Sequence, residues 1–423
     1  MKISLCIICK DEEDKIERCI TSVSKIVDEA IVIDTGSTDN TIAIAKRNGA
    51  KVYEMKWEDD FSKARNFALN KASGDWIIFL DADEYMMEQS IAHIREVIQI
   101  GEDEKKDYSI CEILNEGENG YTSCFKTIRI FKHDSNIYYQ GSIHEKLVHK
   151  KRPLEGIDHS DKIKILHDGY LESEIARKKK SERNGRLLLK ELEKQPDSSN
   201  IHFYLMENYK LMKDNEKTLY HGNKVLEYKN SDLDGVYEVT YTHILDICKD
   251  IEITNEKVEE YYREAIKSNP YYPDYEYRYA VYLYHKGYME LCIEHLEKCT
   301  EKMEKYKGNA ASTIMTQILE IWRILGECYI AVGRQGEAVK LFVQILRVNP
   351  YAYDILYKLL LIIQESEKVE AIGNFLERIY DLASIKNQVI MLQVSKKLKN
   401  NDLYMYFWGK ANETARHYIL EHS

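Results

Sequence analysis

Three carboxylates fall within four positions in the stretch DWIIFLDADE, residues 75–84: Asp81, Asp83 and Glu84. Acids packed that closely at the end of a buried strand repel one another and lose solvation unless a cation neutralises them. A hard divalent cation takes oxygen ligands and commonly keeps a bound phosphate as co-ligand, so Asp81-x-Asp83 reads as a carboxylate pair beside a nucleotide diphosphate. The same residues could instead form an N-cap cluster leading into the helix-like EYMMEQSIAHI. Cys6 and Cys9 form a CxxC, but it lies inside the apolar run ISLCIICK with no second pair at zinc-like spacing. Core packing is the better reading there than metal or redox chemistry.

The acids need a frame, and the first third of the chain supplies one. ISLCIIC is continuously apolar, as expected of a strand covered on both faces. Ile16, Cys19, Ile20 and Val23 recur at i, i+3, i+4 and i+7, which makes one helical face apolar. EAIVID, KVYEMKW and DWIIFLDAD read as further strands; TIAIAKRNGA and DDFSKARNFALNKASG read as helices stopped by Gly49 and Gly74. Alternating strands and helices imply a parallel sheet with right-handed crossovers, whose ligands bind beyond the carboxyl ends of the strands. Strands ending in Asp11 and Glu12, in Asp34, and in Asp81 and Asp83 should bring their carboxylates to one rim. From Tyr108 to Tyr170 the pattern changes to TIRIFK, NIYYQGSIHEKLV and KIKILHDGY. These pieces are expected to form an antiparallel section lying across the front of the sheet.

Helical patterns then dominate, and the expected domains are an α/β unit over residues 1–172 and a helical unit over 173–423. Trp322, Leu325, Gly326, Tyr329, Ala338, Phe342 and Pro350 reproduce the tetratricopeptide pattern W-x2-L-G-x2-Y…A-x3-F…P. Ala265, Pro270, Gly287 and Leu296 form a weaker earlier copy. Repeats in register predict a solenoid, an architecture suited to holding extended peptides or protein partners.

Composition removes several classes. The chain has 423 residues, Lys+Arg 60 against Asp+Glu 71, and a net charge of -11, which argues against nucleic acid as a partner. Nine scattered cysteines suit a reducing compartment better than a disulfide framework. No run approaches the roughly 20 apolar residues of a membrane span, so no stable membrane insertion is expected and a cytoplasmic location is.

In order along the chain, IICKDEEDKIERCITSV, IVIDTGSTDNT, DDFSKARNFAL and WIIFLDADE resemble the nucleotide-binding half of family-2 glycosyltransferases with the GT-A fold. YQGSIHEKL and LHDGY, followed by tetratricopeptide-like helices, are similar to the bacterial peptide glycosyltransferases that modify cysteine or serine of glycosylated bacteriocins. The resemblance implies a Rossmann-like, mostly parallel GT-A catalytic domain followed by an all-α tetratricopeptide-like solenoid. It also implies a UDP-sugar donor (UDP-glucose or UDP-N-acetylglucosamine foremost), Mg²⁺ or Mn²⁺, and inversion at the anomeric carbon.

Carried over residue by residue, the resemblance puts Glu12 and Asp34 on the uracil and ribose, with Asp11 standing where the family usually has asparagine. Asp34 could instead be a turn carboxylate bonding the GSTD amides. Arg65 is expected near the nucleotide, or else as a surface arginine on an amphipathic helix. Asp81 should face the ribose or the metal, and Asp83 should bind the metal that bridges both phosphates. Arg129 would offset diphosphate or acceptor charge, or simply face solvent. Inversion needs a general base opposite the leaving group. Glu145 is the expected base, and His144 could take the proton itself or complete the metal shell. Strand alternation would put the two on opposite faces. Gly141 would let the chain approach the sugar closely. His167 could reach the rim or be a turn residue.

The expected activity is metal-dependent transfer of a sugar from UDP to a Ser, Thr or Cys side chain of a peptide or protein held by the repeats. A cell-surface glycan or lipid-linked acceptor is the alternative within the class, and a non-catalytic repeat scaffold the alternative outside it. The tail NDLYMYFWGKANETARHYIL would cap the solenoid or form a homodimer contact.

Overall fold

The computed structural model describes residues 1–117, 120–168, 174–308 and 312–422, and the expected boundary at 172/173 lies outside them. The chain forms two compact units, Met1–Asp197 with Glu207–Lys213, and Ser198–Met206 with Asp214–Ser423.

The first unit runs β1 (Ile3–Cys9), α1 (Ile16–Val23), β2 (Glu29–Asp34), α2 (Thr41–Arg47), β3 (Lys51–Glu54), α3 (Phe61–Lys71), β4 (Trp76–Asp81) and β5 (Glu84–Met86). It continues with α4 (Glu88–Ile91), α5 (Ile94–Asp103), β6 (Tyr108–Gly117), β7 (Gly120–Lys132), β8 (Ile137–Gln140), β9 (Lys146–His149), β10 (Gly156–Asp158), β11 (Lys164–His167) and α6 (Glu174–Lys194). One mixed sheet has the order β3-β2-β1-β4-β7-β6-β11-β5, with β10 beside β6. All seven residues of β1 are buried, as its unbroken apolar run requires. Leu5 and Ile7 pack with Ile16, Cys19, Ile20 and Val23 of α1, while Cys6 and Ile8 pack with Ala64, Ala68 and Leu69 of α3. Cys6 and Cys9 thus face opposite cores, and both are buried free thiols.

Two local expectations are corrected. TIRIFK and KIKILH do not form a section apart: they enter the main sheet as parts of β7 and β11, and only β8 and β9 pair separately from it. Strand β7 pairs antiparallel with β4, Trp76 opposite Lys132, and carries the same sheet onward through β6. Its first partner was already available, because β4 is buried from Trp76 to Leu80 and needs a neighbour on that edge to satisfy its backbone. NIYYQGSIHEKLV is two paired strands, β8 and β9, interrupted by residues 141–145. Gly141 at φ 104° and His144 at φ 51° break the extended backbone there. His144 and Glu145 therefore sit on a loop and do not alternate along a strand.

The second unit is helical. Its elements are α7 (Ser199–Leu211, shared with the first unit), α8 (Asn215–Tyr228), α9 (Val236–Ile247), α10 (Asn255–Ser268), α11 (Pro273–Lys286), α12 (Met289–Lys305), α13 (Ile318–Ala331) and α14 (Gln335–Val348). They are followed by α15 (Tyr353–Ile363), α16 (Val369–Leu376), α17 (Ile385–Lys397), α18 (Asn401–Lys410) and α19 (Glu413–Glu421). The tetratricopeptide spacing lands on α13 and α14. A Cβ on Gly326 would meet the buried Phe342 ring at 2.3 Å, so only glycine lets these helices pack. Polar side chains link alternate helices: Arg278 of α11 reaches Asp246 of α9 at 3.1 Å. Glu327 of α13 accepts from Tyr284 of α11 and Lys358 of α15, and from Arg323 of its own helix at 2.8 Å. No helix among the described residues is long and apolar enough to cross a membrane.

Candidate active site

The strand ends meet as their sequence required. Ile8 of β1 lies opposite Asp81 of β4, and Cys9 lies opposite Asp34 of β2, so the three carboxyl ends share one rim. Loops after β1 and β2 interlock there. Asp11 accepts the Thr38 backbone N–H at 2.7 Å, and the Glu12 N–H donates to Thr41 Oγ1 at 2.8 Å. The Glu12 carbonyl receives the first amides of the α1 turn. Asp34 is buried and accepts the amides of Gly36 and Ser37 through Oδ1, both at 2.9 Å. That is the turn-carboxylate geometry, with one oxygen so committed.

Asp81 ends β4 between two arginines from different elements. Arg65 of α3 donates from Nη2 to Asp81 Oδ1 at 2.9 Å, and Arg129 of β7 donates from Nη2 to Asp81 Oδ2 at 2.8 Å. Arg129 also grips Glu84, Nε to Oε2 at 2.8 Å and Nη2 to Oε1 at 2.6 Å. Arg65 turns its Nε to Glu145 and stacks over Phe79 and Tyr139, ring centroids at 4.7 and 5.3 Å. The result is one row of alternating charge: Glu145, Arg65, Asp81, Arg129, Glu84. Burial pushes the Asp81 carboxyl up, but the Arg65 and Arg129 guanidinium groups win and hold it at about 2. Burial pushes Glu84 above its ordinary value, against the pull of Arg129 and with the push of Asp81. Arg65 is buried and the Arg129 side chain is 13% exposed, and the acids on either side keep both charged.

Asp83 stands apart from this row. Its Oδ2 lies 3.2 Å from His167 Nε2, and His167 Nδ1 lies 2.7 Å from Asn115 Oδ1. Burial raises the Asp83 pKa, but the His167 hydrogen bond outweighs it and the net shift is downward; the same bond raises His167. Among the described residues no group of three or more His, Cys, Asp or Glu side chains is arranged to hold a metal ion alone. Asp83 with His167 nonetheless offers an oxygen and a nitrogen donor side by side, a set that admits Mn²⁺ more readily than the oxygen-seeking Mg²⁺ when a diphosphate supplies the rest.

The structure therefore gathers Arg65, Asp81, Arg129 and Glu145, with Asp83 two residues beyond Asp81. Glu12, in the loop after β1, and Asp34, at the end of β2, lie along the rim. His144 is exposed on the β8–β9 loop, next to Glu145. Sequence reasoning assigned no role to Glu84 beyond crowding and gave none to Asn115. Glu84 was visible as the third acid of DADE; Asn115 carried no signal, because its partner His167 stands 52 residues away in sequence, although β11 and β6 are neighbours in the sheet.

The described fold is an α/β unit with an acidic rim at its strand ends, followed by a unit of packed helices. Residues 4–146 match the family model described as Glycosyl transferase family 2, and the α/β unit carries a domain of that family. A TPR repeat-containing protein of Synechococcus elongatus is 39% identical over 144 residues, 34% of this chain and 35% of that one. The SPbeta prophage-derived glycosyltransferase SunS of Bacillus subtilis is 31% identical over 227 residues, 53% of each chain. The chain thus spans about half, or less, of the length of these curated relatives. Among solved structures, glucosyl-3-phosphoglycerate synthase from Mycobacterium tuberculosis with Mn²⁺ and UDP matches 28% of this chain and 45% of that chain, at 26% identity and TM-score 0.23. S. aureus TarS matches 63% of this chain and 55% of that chain, at 16% identity and TM-score 0.34.

Proposed function

We propose that the protein is an inverting glycosyltransferase that moves a sugar from a UDP-sugar to a Ser, Thr or Cys side chain of a peptide or protein acceptor held by the helical repeats. The observation that carries this reading is the meeting of the β1, β2 and β4 ends at one rim, with Asp83 beside His167 at 3.2 Å. The family-2 match supports glycosyl transfer, and the relative named as a glycosyltransferase aligns with 53% of the chain at 31% identity.

In this reading Asp83 and His167 hold Mg²⁺ or Mn²⁺. The ion, when bound, offsets the charge developing on the departing diphosphate. The chain's own groups do the rest. Glu12 and Asp34 line the nucleoside side of the rim. Arg65 and Arg129 keep Asp81 ionised and fixed in direction. The loop 141–145 lies on the acceptor side, where the hydroxyl or thiol would pass its proton to the His144 imidazole as the new bond to the anomeric carbon forms and the bond to UDP breaks. UDP-glucose or UDP-N-acetylglucosamine is the donor of choice, and the cytoplasm the expected place.

The test uses purified protein, Mn²⁺ and labelled UDP-sugars incubated with lysate of the source cell, with label counted in protein and in lipid or glycan fractions. Label in protein supports the peptide-modifying reading and names the donor. Label only in lipid or glycan replaces the acceptor with a cell-surface or lipid-linked one. No label anywhere, with no Mn²⁺-dependent UDP binding by calorimetry, favours a non-catalytic repeat scaffold.

A further inference from the structure

Helix α3 grips the β8–β9 hairpin at three points within two turns. The Phe61 N–H, an orphan donor at the helix start, gives its hydrogen bond to the Ser142 carbonyl at 2.8 Å. The Asn66 side chain takes the place of a strand partner, accepting the Tyr139 N–H at 2.8 Å and donating to the Tyr139 carbonyl at 2.8 Å. Between them Arg65 binds Glu145, and both side chains are nearly closed to solvent, 8% and 11% exposed. The remaining Arg65 nitrogen, Nη1, and Ser142 Oγ are buried at this junction and make no hydrogen bond. The loop so held includes Gly141 at φ 104° and His144 at φ 51°, the latter an uncommon backbone state for a residue with a Cβ.

A general base must reach the acceptor's proton with a lone pair it can spend. Glu145 points the other way, into a guanidinium that also holds Asp81 and lies over two aromatic rings. Resting on the glycosyl-transfer reading above, we propose that Arg65 is a positioning residue and Glu145 its anchor, so that the pair ties the acceptor-side loop to the donor-side strand end and Glu145 does not take the acceptor proton. The pair then fixes the distance between the two halves of the reaction. One guanidinium serves both, because its fork reaches a β4 acid with one nitrogen and a loop acid with another.

The experiment compares Glu145→Gln, Glu145→Ala, Arg65→Lys and Arg65→Ala for transfer kinetics and for hydrogen exchange of the amides from Tyr139 to Leu147. Glutamine still accepts from Arg65, so Glu145→Gln is expected to keep kcat within about tenfold of the parent, whereas a lost general base costs about 10² to 10⁴. Glu145→Ala and Arg65→Ala are expected to lower kcat by more than tenfold, with donor KM changed less, and to speed loop exchange about tenfold or more. Arg65→Lys should fall between, since a lysine cannot fork. Equal losses of 10² or more in Glu145→Gln and Glu145→Ala, with loop exchange at the parent rate, overturn the proposal and make Glu145 the base. If the parent protein transfers nothing, the function above fails by itself. The exchange arm then still decides whether the Arg65–Glu145 pair holds the loop, and unchanged exchange in both alanine variants overturns that.

Discussion

Arg129 and Glu84 form a two-pronged pair at 2.6 and 2.8 Å, and Arg129 spends its other bond on Asp81. Glu84 is 4% exposed in its side chain. Removing the arginine strands a buried carboxylate, which costs far more than the pair itself contributes. Arg129→Met is expected to lower stability by about 3 to 5 kcal/mol in urea unfolding. Arg129→Met combined with Glu84→Gln should recover part of that loss, and no recovery would show that Arg129 acts through Asp81 alone.

Asp83→Ala is expected to abolish Mn²⁺-dependent binding of UDP in calorimetry while leaving the urea midpoint near that of the parent. His167→Ala should weaken the same binding by about 10- to 100-fold, since it removes one donor of two. Undiminished binding in both variants would move the cation elsewhere.

How much of this was legible follows from where partners come from. The acids of DADE and the strands that carry them could be read because an unbroken apolar run and its polar end lie in one segment. The arginines that neutralise Asp81 could not be paired with it by reading, since Arg65 and Arg129 stand 16 and 48 residues away on other elements. The helical repeat was legible in Gly326 and Phe342, whose contact their types demand. The loop 141–145 was not, because residue type does not call for a left-handed turn at His144, and the contacts that hold its neighbours Ser142 and Glu145 come from α3, far away in sequence.

His144 lends itself to a paired test. Its φ of 51° is a backbone state that glycine adopts freely and alanine does not. His144→Gly is expected to be more stable than His144→Ala by about 1 kcal/mol. If both lose transfer to the same degree, the imidazole matters; if only alanine does, the backbone does.

Glu276 of α11 gives the helical unit an acid limit. It is buried and accepts from Lys302 at 2.6 Å, from the His295 ring at 2.7 Å and from Tyr262 at 2.8 Å. Burial raises its pKa, but these bonds prevail and bring it to about 2. A carboxyl lowered on folding adds stability that is complete above the unfolded value, about 4.5, and is lost as pH falls towards about 2. Helix content followed by circular dichroism should fall across that window, and Glu276→Gln should flatten the dependence while lowering stability at pH 7 by about 2 to 3 kcal/mol.

Gly326→Ala would put a methyl 2.3 Å from a Phe342 ring that has no room to retreat. Overpacking of that kind should lower the thermal midpoint by several degrees, about 1 to 3 kcal/mol. Pairing it with Phe342→Leu should restore part of the loss, and full additivity would refute the contact as the cause.

Glu327 has a mechanical consequence. A stack of helices flexes by small rotations at each joint between neighbours, and softness adds along the row. A carboxylate gripped at once from α11, α13 and α15 cross-braces two successive joints, so bending there must first break a polar bond. Helices α11 to α15 then behave as a stiff plate, compliance is left to the segments before and after it, and raised ionic strength loosens the plate by weakening its braces.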